Sequence, residues 1–267
     1  MSEGAPNDAL VIVEHGAYGL PGVARITMNR PAAFNALSEA LLDALQRGLD
    51  EIAASDARVV VLAGAGRAFC AGHDLKEMLG NPSLEYYQAL FARCSAMMLA
   101  IQRMPQPVIA CVHGMATAAG CQLVAMCDLA VAASDARFAV SGVKLGLFCS
   151  TPSVALLRNL SRKVAFEMLV TGDFIDASTA LAIGLINQVV PAAGLRQATD
   201  TLAHKIAAKS AIALALGKTA FYRQIEMNLA DAYAYTSEVM TRNMLAHDAE
   251  EGIDAFIAKR KPVWKDE

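Results

Sequence analysis

Two short stretches hold most of the residues able to do chemistry: residues 62–78, LAGAGRAFCAGHDLKEM, and residues 114–128, GMATAAGCQLVAMCD. Small residues and sharp turns let a backbone come close to a ligand, so main-chain N–H groups can be aimed at a bound carbonyl. His73 adds an imidazole that titrates near neutrality. Asp74 is placed to cap a following helix. Gln122 brings an amide, which can orient a water molecule but cannot accept its proton at neutral pH. These residue types point to polarisation of a carbonyl, with few groups at hand to move a proton.

Metal chemistry finds little support. The six cysteines, Cys70, Cys94, Cys111, Cys121, Cys127 and Cys149, lack the short paired spacing of a zinc site and read as reduced core residues. The five histidines are scattered and form no HExxH pair. A net charge of −3 gives no basic balance toward nucleic acid. No apolar run reaches membrane-spanning length. The opening MSEGAPNDAL is polar and acidic, without the basic start and apolar stretch of a secretory signal, so a cytoplasmic location is expected.

The elements that position these loops follow from periodicity. Residues 10–15 and 23–28 read as strands, and Ser38 as the N-cap of a helix over 38–54. Residues 59–63 and 108–112 are short β-branched runs of the kind found in buried parallel strands, continued at 130–133 and 138–140. Beyond Thr151 the pattern turns helical: 151–170 with a break near Ser161, a short helix over 176–183, a strand over 186–190, a helix over 197–209, and long helical segments from Ala213 to Lys259. At 267 residues, 55% of them hydrophobic, the chain suits a sizeable core or an oligomer with buried interfaces. We expect an α/β core over 1–200 and a helical C-terminal region over 201–267.

Five segments, TMNRPAAFNALS, GRAFCAGHDLKEM, PVIACVHGMATAAGCQLVAMCDLAVA, TGDFIDASTALAIGLINQVV and AFIAKRKPVW, resemble in order and spacing the enoyl-CoA hydratase and isomerase (crotonase) superfamily over essentially the whole chain. The resemblance implies a spiral of ββα turns with a helical C-terminal trimerisation region, assembled as a homotrimer or a dimer of trimers. It implies an acyl-CoA thioester as substrate, with coenzyme A brought by the substrate and no separate cofactor. Two backbone donors, the N–H of His73 and that of Ala119, fall where the family builds an oxyanion hole. The two catalytic glutamates of classical hydratases fall on Gln122 and Gly142, so classical hydration is expected to be weak. An acyl-CoA binding or assembly protein, a thioester hydrolase and a decarboxylase stay open as alternatives.

His73 is the first candidate to replace the missing acid and base, with Ser141, Lys144, Cys149, Ser150 and Thr151 in the loop around the second glutamate position. Coenzyme A recognition is expected from Arg30 and the turn up to Asn35, from Ala71, His73, Asp74, Leu75 and Lys76, from Ala119, and from the basic tail at Lys259, Arg260 and Lys261. Asp128 reads as structural. The methionines and aromatics over 221–244 read as core or interface filling.

Overall fold

A computed structural model describes residues 9–267; the first eight, MSEGAPND, on which the reading of a polar start rests, lie outside the described residues. The chain runs through β1 (Val11–His15), β2 (Val23–Met28), α1 (Glu39–Ala53), β3 (Val59–Gly64), α2 (Leu75–Gly80), α3 (Leu84–Arg103), β4 (Val108–Val112), β5 (Met115–Thr117), α4 (Ala119–Met126), β6 (Leu129–Ala133) and β7 (Arg137–Ala139). There follow α5 (Ser150–Asn159), α6 (Arg162–Thr171), β8 (Ile175–Asp176), α7 (Ala177–Ala182), β9 (Gln188–Val190) and α8 (Leu195–Ala207). The last three helices are α9 (Ala211–Gln224), α10 (Leu229–Met244) and α11 (His247–Ile257).

Six strands form one sheet in the order β1-β2-β3-β4-β6-β9, parallel throughout except for the β1-β2 hairpin. A smaller sheet orders β5-β7-β8. The two sheets record a spiral. Each turn lays one strand in the large sheet (β4, then β6), the next in the small one (β5, then β7), and closes with a helix (α4, then α5). Cys70 bridges Ala116 in parallel and so extends the small sheet to the preceding turn, which closes with α2.

The β-branched runs predict β3 and β4 well because both faces of these strands are covered: Val59 to Val61 and Val108 to Ala110 are fully buried. Ser38 caps α1 as expected, its hydroxyl accepting from the Leu41 N–H at 3.2 Å. Leu41, Leu42, Leu45, Leu49 and Ile52 recur at helical spacing on α1 and are buried under the sheet. The sequence pattern places neither β5 nor β8, which have three and two residues and are too short to show a period. The division drawn at residue 200 falls inside α8, which packs on β3, β4 and β6 and so belongs to the core.

A buried polar cluster ties the helical tail to that core. Lys218 on α9 donates to Asp128 at 2.7 Å and to the carbonyls of Ile101 and Gln106, while the Tyr222 hydroxyl donates to the other Asp128 oxygen at 2.8 Å. Asp128 also accepts from the Val108 N–H at the start of β4. Its structural reading stands on these bonds. Burial lowers the Lys218 pKa, and the Asp128 carboxylate opposes the shift.

Candidate active site

The loop after β3 is held in shape by Asn35, a fully buried side chain. Its amide donates to the carbonyls of Ala65, Ala68 and Phe69, and its oxygen accepts from the Arg30 N–H. Phe34 and Asn35 both take positive φ, which turns the chain back on itself. The Phe34 carbonyl then accepts from the Ala71 N–H, and Leu37 donates to the Gly72 carbonyl at 2.7 Å. Residues 30–35, expected along the coenzyme A path, act here as the clamp on residues 65–72. Nothing in residue type marks Asn35 for this role before the fold brings the two loops together.

Gly72 lies at φ 90°. A β-carbon there would come 2.9 Å from the Ala118 methyl and 3.3 Å from the Ala119 nitrogen, so the position demands glycine for conformation and for space. Gly120 meets the same loop, because a β-carbon on it would sit 2.1 Å from the Cys70 carbonyl oxygen. The two glycines bring the first loop and the start of α4 into direct contact, and with them His73 and Ala119. Among the described residues, neither the His73 N–H nor the Ala119 N–H has a protein acceptor. Ala119 is the first residue of its helix, so its N–H lies at the positive end of the helix dipole.

Ala118, ahead of that helix, has φ 51° and ψ −120°, a conformation that favours glycine. It is fixed from both sides: its N–H donates to the Ala139 carbonyl of β7 and its own carbonyl accepts from the Gln122 N–H.

The side chains around this contact carry few partners. The His73 ring packs edge-on against Phe91 of α3, with centroids 5.6 Å apart, and neither buried ring nitrogen has a hydrogen-bond partner among the described residues. Burial pushes its pKa below 6.5, opposed in part by the Leu37 backbone without reaching hydrogen-bond geometry, so the ring is neutral at pH 7. Gln122 is one turn along α4 from Ala118, and helical side chains lean toward the helix N-terminus. Its Oε1 is buried and without a partner among the described residues.

Gly142 is buried in the short 3₁₀ turn Ser141–Leu145. A β-carbon there would lie 2.7 Å from Cys149 Sγ and 2.8 Å from the Leu147 carbonyl oxygen. The space that a longer side chain would need is therefore filled. Burial raises the Cys149 pKa, with the Gly142 backbone opposing, which keeps it a thiol and removes the case for a nucleophile. Ser141 pairs with Thr117, their hydroxyl oxygens 3.0 Å apart. Lys144 reaches outward to Asp173, and the Ser150 hydroxyl donates to the Phe148 carbonyl.

The remaining sequence candidates divide. Asp74 caps α2, accepting from the N–H groups of Lys76 and Glu77, and pairs with Arg30 at 2.7 Å. Burial by itself would raise its pKa, but the Arg30 guanidinium and the two amides outweigh it and the net shift is downward. Arg30 also donates to the Ala36 carbonyl, so its charge is engaged within the loop. Ala71 is half-buried, while Leu75 and Lys76 are exposed on α2. In the tail, Arg260 makes a two-pronged pair with Glu251 and is occupied, whereas Lys259, exposed just beyond α11, makes no ion pair among the described residues. The structure thus brings Gly72, between Ala71 and His73, against Ala118 and Ala119 at the start of α4, while Gly142 packs on Cys149 and Leu147 and Lys259 lies outside these contacts. Among the described residues no cluster of His, Cys, Asp and Glu could hold a metal ion, and no helix is long and apolar enough to cross a membrane.

The family model for enoyl-CoA hydratase/isomerase matches residues 20–267. Enoyl-CoA hydratase domain-containing protein 3, mitochondrial, is 48% identical in Xenopus laevis over 91% of this chain and 83% of the relative. The human protein of that name is 47% identical over 94% of this chain and 83% of the relative. Among solved structures, an enoyl-CoA hydratase of Mycobacterium smegmatis superposes with a TM-score of 0.93 at 57% identity, covering 96% of this chain and 98% of that one. Human enoyl-CoA hydratase domain-containing protein 3 superposes with a TM-score of 0.92 at 46% identity, covering 96% and 100%.

Proposed function

This chain belongs to the enoyl-CoA hydratase/isomerase family, and from that premise we propose that it binds an acyl-CoA thioester and polarises its carbonyl between the N–H groups of His73 and Ala119. The observation that carries the reading is the pair of unpaired backbone donors on either side of the Gly72–Ala119 contact. Two such donors in a water-poor site stabilise the oxyanion of a thioester enolate, and losing one typically costs about 10²–10³ in rate. Arg30, Ala71, Asp74, Leu75 and Lys76 form the rim over which coenzyme A lies. Its phosphates are met by exposed cations, Lys76 on α2 and Lys259 beyond α11.

Proton transfer sets this site apart. General acid and base groups contribute about 10²–10⁴ each. Gln122 supplies an amide in place of one carboxylate, and Cys149 closes the space at Gly142 where the other would stand. Classical hydration is accordingly slow, with His73 as the group able to move a proton. The protein works in the cytoplasm as a homotrimer or a dimer of trimers. Crotonoyl-CoA hydration followed by ultraviolet absorbance tests the enzymatic reading. We expect turnover well below that of a two-glutamate hydratase and lost on His73→Phe; fast turnover untouched by His73→Phe overturns it.

A second reading, an acyl-CoA binder without catalysis, draws on the same unpartnered Gln122 and closed Gly142. Calorimetry with acyl-CoA thioesters separates the two from a purely structural role: binding without turnover selects the second, and no binding removes both.

A further inference from the structure

We propose a second small-molecule site, apart from the thioester site, that takes a short alkylammonium with the Gln106 side-chain carbonyl as its acceptor. The segments ahead of β3 and β4, the start of α9 and Asp266 beyond α11 line a cavity of about 340 Å³, a volume that small ligands fill. β3 and β4 run parallel, and residues 53–58 and 105–106 stand just before them, whereas the Gly72 loop follows the far end of β3. The two sites therefore lie at opposite ends of the large sheet.

Gln106 lines this cavity with a side chain 5% exposed. Its Nε2 donates to the Ile52 carbonyl at 3.0 Å, which settles the end of the amide that carries the oxygen. Oε1 is left buried with no partner among the described residues. A buried acceptor in this state is costly until a donor reaches it. The donors of the lining are engaged elsewhere: the Arg58 guanidinium by the Ala207 and Lys209 carbonyls and by Asp266, the Ser55 hydroxyl by Ile52 and the Ala211 N–H by Asp266. Charge then selects the ligand. The ionisable side chains of the lining are Asp56, Arg58 and Asp266, and the last two pair with each other. Asp56 is exposed and makes no ion pair among the described residues. Ala53, Ala57, Pro105, Ile212 and Leu214 make the walls apolar. An ammonium group donates without accepting and supplies the charge that Asp56 lacks, while a short alkyl chain covers the walls. A carboxylate would face an acceptor and an anion.

The test is saturation-transfer NMR of the whole 267-residue chain titrated with hexylammonium, hexanol and hexanoate, repeated on Gln106→Met and Asp56→Asn. We expect hexylammonium to bind at least about threefold tighter than hexanol, and hexanoate to bind most weakly. Gln106→Met weakens hexylammonium about tenfold, as loss of a hydrogen bond to a charged group does. The Ile52 carbonyl keeps the Ser55 hydroxyl as a donor, so this change leaves no new unpaired group in the wall. Asp56→Asn weakens hexylammonium about threefold. Should Gln106→Met fold poorly, Asp56→Asn, at an exposed residue, carries the comparison. No binding of hexylammonium, which leaves the cavity to water, overturns the inference. Hexanoate binding as tightly as hexylammonium, an affinity unchanged in both variants, or displacement of hexylammonium by butyryl-CoA overturns it as well.

Discussion

His73 enters the site twice, through a backbone N–H left free to meet a carbonyl and through a ring held neutral by burial. The ring has a consequence for stability that can be measured. Its folded-state pKa lies below the unfolded value of 6.5, so as pH falls the unfolded chain takes up a proton that the folded chain resists. The stability it contributes is present above 6.5 and is lost as pH falls through the lowered folded-state value. In urea melts, the stability of the protein relative to His73→Phe should therefore drop as pH is lowered from neutral; parallel curves would exclude the shift. Gly142→Glu supplies a second prediction. It does not restore hydration, because Cys149 Sγ and the Leu147 carbonyl occupy the space, and overpacking costs about 1–3 kcal/mol by denaturant unfolding. Pairing it with Cys149→Gly should recover only part of that loss, because the Leu147 carbonyl still crowds a β-carbon at 142. Reading along the chain shows which residues stand at positions 122 and 142, but not that Cys149 folds back to fill the second.

Among the strands, helices and loops, the loop after β3 and the start of α4 form one unit because glycine occurs where they touch. Ala118 is the exception, a residue with a β-carbon in a conformation that favours glycine. Such positions cost about 1–3 kcal/mol, and glycine returns part of this as chain entropy. Ala118→Gly should therefore stabilise the protein by about 1 kcal/mol, read as a melting temperature higher by a few degrees. Gly72→Ala should do the reverse by about 1–3 kcal/mol and, by displacing the His73 N–H, lower turnover or thioester affinity as well. A neutral effect at both positions would mean that the turn adapts freely and that the donors are not fixed by it. β2, β4, α1 and the break between α5 and α6 can be read from the sequence, since a buried face imposes its period over many residues. β5 and the Asn35 clamp cannot, because a three-residue strand has no period and a buried amide looks like any turn asparagine.

Among the described residues the folded chain leaves many large apolar side chains exposed. Several of them lie on the helical tail, where Leu245 is 83% exposed and Phe256 84% exposed. The residues over 221–244 that the pattern marks as core or interface include Phe221, Tyr233, Met240 and Met244, all turned outward, so they do not fill this chain's own core. An assembly that covers them is expected, and sedimentation should show a trimer or hexamer that Leu245→Asp with Phe256→Asp breaks down; a stable monomer of the unmodified chain would refute it. The tail also depends on its buried tether. Lys218→Met leaves Asp128 buried without its cation and should cost about 3–5 kcal/mol, while Lys218→Met with Asp128→Asn should cost less than the sum of the two changes.

Family membership, the alternation of strand and helix, and the identity of the side chains at positions 122 and 142 are all written in residue type and spacing, so they can be read before any fold is known. Which groups are left without partners cannot. The free N–H groups of His73 and Ala119, the orphaned Gln122 amide and the filled space beside Gly142 arise where segments far apart in the chain pack together, and hydrogen bonding and volume are settled only by that packing.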